Sequence, residues 1–354
     1  MTTGFIYIIL LIYFTFLLGF GNDKQKTKGT YFAIFAVIII SGFRKDVGID
    51  YQTYEFLYDG YKDSYLEVIE PAWQIINNVL HTVGLSYVGW TTLISVLIIG
   101  LFSIGMKKMS VSFAFSFLLF CCTILLDTSF NAIRQYSAMA IIFWGTSYIF
   151  ERKYLHYYIC VAIALLFHNS AFIAILFPLF IRKTKPTILI GLLLTTMLIG
   201  TTIMNYLLNN ILPLAGSVLT SIGSQRDYSY DVLSIDNGIS SGTLKYVYNL
   251  LAIGAIVLCE KIKTPCNSTN LRFFLNAFVI SICLYNVFYT FQVYRRLYEY
   301  GFMYITLLLP IIANYYPSTL IRRSVSTCYC LLFLTFLLLS TWNTPYQMRF
   351  DLFT

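Results

Sequence analysis

Four short polar clusters interrupt an otherwise apolar chain, and each carries residue types that bind anions or move protons. The first is FRKDVGIDYQTY at 43–54, with Arg44, Lys45, Asp46 and Asp50 within seven residues. Gly48 permits a tight turn there. Asp50 could act as a base, orient an arginine, or cap a helix that begins at Tyr51. The second cluster sets Asn131, Arg134 and Gln135 at i, i+3 and i+4, one face of a helix, with Ser129 as a candidate N-cap. An arginine near a helix N-terminus is fit to hold an anion; the structural alternative is an ion pair with Asp127. The third, His168-Asn169-Ser170, ends a long apolar run. Its imidazole could take or give a proton, or be a hydrogen-bonded core group that fixes the turn. The fourth is Arg295-Arg296, shortly before Tyr300. Paired arginines suit a phosphate or diphosphate; the alternative is snorkelling to headgroups with an Arg295–Glu299 pair.

The remaining polar residues are read structurally. Asp59, Asp63, Glu67 and Glu70 form a solvated face. His81 and His156 are interface residues, and the three histidines have no metal-ligand spacing. Most of the eight cysteines lie in apolar runs, where cysteine packs as a small hydrophobe. No metal and no cofactor are expected.

The elements that must position these clusters are membrane helices. The chain has 354 residues, of which 58% are hydrophobic and 11% charged, and its mean hydropathy is +0.72. Soluble domains carry about 25% charged residues. The fold class is therefore an all-α polytopic membrane protein. The net charge of +8 does not indicate a nucleic-acid partner, because the cations sit in short groups between apolar runs, as in cytoplasmic loops. The first 20 residues lack a basic n-region and a small-residue cleavage site, so they read as the first membrane helix.

Spans of roughly 20 apolar residues are placed near 4–20, 30–43, 90–106, 111–126, 131–150, 187–208, 244–259, 273–291, 297–314 and 325–342. The run 154–167 would climb about 21 Å at 1.5 Å per residue, meet the His168 cluster, and descend through 171–181 as a second half-helix. That makes about 12 full or half spans in a single membrane domain, with both termini outside. Inner loops hold Lys24, Lys26, Lys28, Lys107, Lys108, Arg152, Lys153, Arg182, Lys183, Lys185, Lys261, Lys263, Arg272, Arg322 and Arg323. The arginines that break the positive-inside rule are Arg44, Arg134, Arg226, Arg295, Arg296 and Arg349, and misplaced charges of this kind call for a functional reason. Two outer segments stand out. One is 44–89, with an amphipathic helix near 71–83 that could lie on the membrane. The other is 209–243, polar and loop-like, a candidate lid. On this topology the four clusters converge on the outer face.

The clusters also resemble a known family. Arg44-x-x-Val47-Gly48-x-Asp50-Tyr51-x-x-Tyr54 is similar to the R-x-x-VG-x-D-Y-x-x-Y signature of EpsG-like proteins, which belong with the Wzy-type polysaccharide polymerases. Asn131-x-x-Arg134-Gln135-x-x-Ala138 resembles their N-x-x-R-Q-x-x-A block, and the run from Leu165 to Ala171 their LA-x-x-FH-x-S-A block. Arg296-x-x-x-Tyr300 resembles their R-x-x-x-Y-F segment, with Gly301 in place of the usual Phe and the doubled arginine leaving two registers.

The resemblance implies a GT-C-like membrane glycosyltransferase of the bacterial inner membrane. It would join undecaprenyl-diphosphate-linked repeat units of an O-antigen, capsule or exopolysaccharide on the outer face. Its substrates would be a lipid-linked donor and acceptor, with a flippase and a chain-length regulator as cellular partners. It further implies Arg134, Arg296, Arg295 and Arg44 for the diphosphate and His168 or Asp50 for the proton. Asn131, Gln135, Tyr51 and Tyr300 would be supports. Two other readings stay open: a flippase for the same lipid-linked unit, and a membrane O-acyltransferase built on His168.

Overall fold

A computed structural model of the chain describes residues 3–59, 70–210, 240–262, 268–289, 296–341, 346–350 and 352. Fifteen α-helices, two 3-10 helices and one two-stranded sheet account for the regular structure among them. Four helical stretches are long and apolar enough to cross a bilayer: Tyr87–Met109, Thr269–Val287, Arg296–Asn314 and Thr319–Leu339. A bent pair, Phe113–Cys122 with Ile124–Asn131, makes a fifth. Shorter apolar helices at Thr3–Gly19, Tyr154–Phe167, Asn169–Ile181 and Pro186–Gly200 match other expected segments. The chain is a membrane protein with four to five full candidate spans among the described residues, fewer than the expected count of full and half spans. Most of the candidate lid, 211–239, lies outside the described residues.

The chain divides into two compact units. The first comprises Met1–Pro178 and Thr306–Thr354. Its α1 (Thr3–Phe20) is followed by α2 (Asp23–Gly42), which absorbs most of the expected loop at 22–28. The cause is a capping box. Asn22 Oδ1 accepts from the Gln25 N–H at 2.9 Å, and Gln25 Oε1 accepts from the Asn22 N–H at 2.9 Å. After β1 (Arg44–Lys45) come α3 (Tyr51–Asp59), α4 (Pro71–Thr82) and α5 (Tyr87–Met109). Proline at the first position of α4 costs nothing, because that N–H has no helical partner.

Helices α6 (Phe113–Cys122) and α7 (Ile124–Asn131) meet at 56° where Thr123 is extended, at φ −83° and ψ 171°. The expected outer turn at Asp127-Thr128-Ser129 is therefore helical, and the chain turns instead at Ala132, at φ −92° and ψ 49°. Helix α8 (Ile133–Phe150) then packs between α5 and α9 (Tyr154–Phe167). Helix α9 stops at His168, whose backbone is extended at φ −162° and ψ 127°. A 3-10 helix, Asn169–Ile181, continues from there. The break falls at the expected cluster, and the Tyr157 hydroxyl ties the two halves by donating to the Ala174 carbonyl at 2.7 Å.

Opposite ends of α8 have opposite character. Arg134 opens it, and at the other end Glu151 accepts from Lys108 at 2.5 Å and Lys153 at 2.8 Å. The expected inner cations thus share one end of this unit, about 27 Å from Arg134 at 1.5 Å per residue over 18 residues.

The second unit, Leu179–Ile305, contains α10 (Pro186–Asn210), α11 (Ser240–Lys261), α12 (Ser268–Val287), a 3-10 turn at Arg296–Tyr298 and α13 (Glu299–Phe302). The chain then returns to the first unit, where α14 (Ile305–Asn314) leads to α15 (Thr319–Thr341) and β2 (Gln347–Met348). Asn249 and Asn286 exchange amide hydrogen bonds at 2.8 and 2.9 Å between α11 and α12, so two buried amides satisfy each other. Gly301 brings α13 hard against α12. A Cβ there would sit 2.5 Å from the Ala277 carbonyl oxygen and 2.8 Å from Ser281 Cβ. This explains why the position departs from the aromatic residue of the resembled motif. Gly301→Ala is expected to destabilise the protein by about 1–3 kcal/mol through overpacking, measured as a lowered thermal unfolding midpoint in detergent. An unchanged midpoint would refute the close approach.

Candidate functional site

The opening stretch is built as a bracket against the α7–α8 corner. Asp46 and Gly48 take positive φ, 53° and 109°, which reverses the chain between β1 and α3. A Cβ at Gly48 would lie 2.8 Å from Asn131 Oδ1, so glycine is required by space as well as by φ. Asn131 Oδ1 accepts from the Ile49 N–H at 2.5 Å. Asn131 is therefore spent on docking the turn. Because the helix breaks at Ala132, Asn131 does not share a continuous helical face with Arg134 and Gln135. Gln135 is buried, with its amide 3.7 Å from Met139 Sδ. Ser129 does not cap α8; its hydroxyl donates back to the Leu126 carbonyl at 2.5 Å.

Arg44 is only 2% exposed. Its Nη1 donates to the Ser41 carbonyl and its Nη2 to the Phe130 carbonyl at 3.5 Å, and its guanidinium lies 5.0 Å from the Phe130 ring centroid. It clamps the end of α2 to α7, and among the described residues it has no ion pair with Asp50. Asp50 is half-buried at the start of α3, where its backbone carbonyl accepts from the Tyr54 N–H at 3.0 Å. Strand β1 pairs antiparallel with β2, Arg44 opposite Met348. Beside it Arg349 binds Glu55 at 2.7 Å, which accounts for another cation that breaks the inside rule.

Arg134 and His168 are brought together by a residue assigned above to a solvated face. Glu70, at the N-cap of α4, has a side chain only 9% exposed. Its Oε2 accepts from Arg134 Nη1 at 2.7 Å, and its Oε1 meets His168 Nδ1 at 2.8 Å. The solvated reading of Glu70 is thus corrected. Asp127, the partner considered for Arg134, instead accepts from the Tyr7 hydroxyl at 3.2 Å.

Burial alone would push the Glu70 carboxyl up. The hydrogen bond from His168 and the charge of Arg134 outweigh it and hold the group down at about 2. With Glu70 ionised, a neutral His168 donates from Nδ1 and presents Nε2 as its lone pair. The Nε of Arg134 is buried without a hydrogen-bond partner, and the half-buried Tyr54 touches the guanidinium through a further hydrogen bond.

A second set of contacts fixes this triad. Trp73, three residues after Glu70, donates to the carbonyl of Phe167, the residue before His168, at 2.9 Å. Its ring stands edge-on to Phe167 at 5.5 Å and 5.7 Å from Trp90. Trp90 stacks on Tyr87 at 5.4 Å and donates to Asn77 Oδ1 at 2.8 Å. Tyr51, Tyr58, Trp73, Tyr87 and Trp90 are all buried. They form an aromatic core, in which Tyr51 meets Tyr87 edge-on at 5.1 Å.

Arg296 and Tyr300 belong to the second unit. Arg296 is half-buried at the start of its 3-10 turn, and Tyr300 is 1% exposed. Arg295 lies outside the described residues.

A model of the EpsG family matches residues 29–350, a stretch that takes in the bracket, the Glu70 triad and the Arg296 turn. The chain belongs to the EpsG family. Membership implies a role in exopolysaccharide biosynthesis. No curated protein and no solved structure matches this EpsG-family chain. Glu70 escaped the sequence reading because an acidic loop hides one paired carboxylate among several. The only local signal was the Pro71 that makes Glu70 a helix cap.

A carboxylate held below its unfolded value stabilises the fold above that unfolded value, near 4.5, and the contribution fades as pH falls toward about 2. The stability lost in Glu70→Gln is thus expected to shrink as pH falls from about 5 toward about 2. Thermal unfolding of both proteins in detergent across that range checks this. A difference that grew as pH fell from about 5 to about 3 would contradict the pairing.

Proposed function

We propose that the chain is a repeat-unit polymerase. It transfers an oligosaccharide from undecaprenyl diphosphate to the non-reducing end of a second lipid-linked unit, on the outer face of the bacterial cytoplasmic membrane. The reading rests above all on one observation: the buried Glu70 carboxylate holds Arg134 and His168 side by side. The reaction needs both kinds of group. The anomeric carbon already carries a good leaving group, so catalysis must accept the acceptor's proton and stabilise the departing diphosphate.

In this scheme His168 Nε2 takes the proton of the acceptor hydroxyl as its oxygen bonds to the anomeric carbon. The bond from that carbon to the diphosphate oxygen breaks, and the positive charge of Arg134 stabilises the leaving diphosphate. Once His168 is protonated, Glu70 stabilises the imidazolium, and the triad gains one positive charge at the moment the diphosphate gains its negative charge. Glu70 is a positioning residue. Arg44 and Asn131 hold the bracket, and Asp50 takes no part in the proton transfer. Arg296 and Arg295 keep the diphosphate-binding role that the family motif implies, and a flippase and a chain-length regulator are the expected cellular partners.

The test is the lipid-linked product ladder of a deletion strain complemented with variants, together with elongation by the purified protein in detergent. Arg134→Ala and His168→Ala are each expected to lower the elongation rate about 100-fold or more and leave single repeat units on lipid. Glu70→Gln, which keeps the shape but not the charge, is expected to lose about 10-fold or more. Arg296→Ala is expected to stop elongation as well. Normal ladders from Arg134→Ala at normal expression would overturn the site. Absence of elongation in detergent, with transport of the unit across vesicles, would replace polymerase by flippase.

A further inference from the structure

The basic end of the first unit carries a groove of about 390 Å³, bounded by α1, α2, α6, α14 and α15. Its cations are Lys26, Arg322 and Arg323, and neither Asp nor Glu lines it. Among the described residues no carboxylate lies within ion-pair distance of any of the three. Arg322 donates only to neutral acceptors, Asn314 Oδ1 at 3.1 Å and the Pro317 carbonyl at 3.3 Å, and its buried Nε has no hydrogen-bond partner. Below the cations the wall is apolar: Leu11, Leu18, Phe115 and Leu118. On the outside of α1, Ile12 and Phe16 are 64% and 67% exposed, a surface made for lipid tails.

The groove also sits at the right depth. Lys107, at the end of α5, donates to the Tyr31 hydroxyl of α2 at 2.5 Å. The groove's cationic rim therefore shares the end of the molecule where the inner-loop cations gather, which the positive-inside rule assigns to the cytoplasm. A groove of this size open to the bilayer will be filled by a lipid. Basic pockets between membrane helices on the cytoplasmic side select anionic headgroups.

We infer that this groove is a binding site for one anionic phospholipid of the inner leaflet. Its phosphate lies among Lys26, Arg322 and Arg323, and one acyl chain runs along Leu11, Leu18, Phe115 and Leu118. The inference does not depend on the polymerase reading, since it concerns the opposite end of the unit from Glu70.

The purified full chain in detergent is incubated with phosphatidylglycerol, phosphatidylcholine, undecaprenyl phosphate or glycerol 3-phosphate, and the retained molecules are counted by native mass spectrometry. One phosphatidylglycerol per chain should be retained at least about tenfold over phosphatidylcholine. The triple variant Lys26→Gln, Arg322→Gln, Arg323→Gln should lose that preference. Gly19 lines the groove, and a Cβ on it would meet nothing within 4 Å. Gly19→Leu should therefore displace the lipid without altering charge or lowering the unfolding temperature of the lipid-free protein. Equal retention of phosphatidylcholine, retention unchanged in either variant, or preferential retention of undecaprenyl phosphate or glycerol 3-phosphate would overturn the assignment.

Discussion

A carboxylate with nine-tenths of its side chain out of water costs several kcal/mol unless it is paired, and Glu70 is paired twice. The geometry of this end of the first unit follows from that requirement. Glu70 comes from the start of α4, Arg134 from the start of α8 and His168 from the end of α9. Three backbone ends are thus held at one point. Removing any partner would leave a buried charge or a buried donor unmatched, so the three elements can shift only together.

Everything around the triad serves to keep those ends in place. The Trp73 bond to the Phe167 carbonyl runs beside the Glu70–His168 contact and uses the same two elements, so α4 cannot rotate on α9 without breaking both. The buried aromatic cluster of α3, α4 and α5 supplies the apolar area that offsets the polar cost. Arg44 and Asn131 do the same for the α7–α8 corner through carbonyls and one backbone N–H. Cations that look misplaced by the positive-inside rule thus fall into two kinds. Arg44 binds backbone carbonyls and Arg349 binds Glu55 at the bracket, whereas Arg134 joins the buried Glu70 carboxylate beside His168.

Legibility in the sequence varied with the range of the interaction. The break at His168 was readable because a polar triplet ends an apolar run, and hydropathy is a local property. The turn at Gly48 was readable because its φ demands glycine. The helical start of α2 was missed because three lysines suggested a loop, although the Asn22–Gln25 capping box lay in the same seven residues. The turn at Asp127-Thr128-Ser129 was misplaced because polar residues near a span end usually mark its exit. Here α7 carries them as a helix, and the chain turns at Ala132.

By itself the sequence determined that this is a helical membrane protein, that most of its cations fall in short loops between apolar runs, and that four polar clusters in fixed order match one family's pattern. Those are properties of composition and short spacing, and the match to the EpsG family runs through them. Only the tertiary structure decided which polar residues meet. Glu70 reaches Arg134 across 64 positions and His168 across 98. No local pattern distinguishes it from Asp59, Asp63 or Glu67, because a carboxylate's role depends on what packing brings to it and on how much water that packing removes.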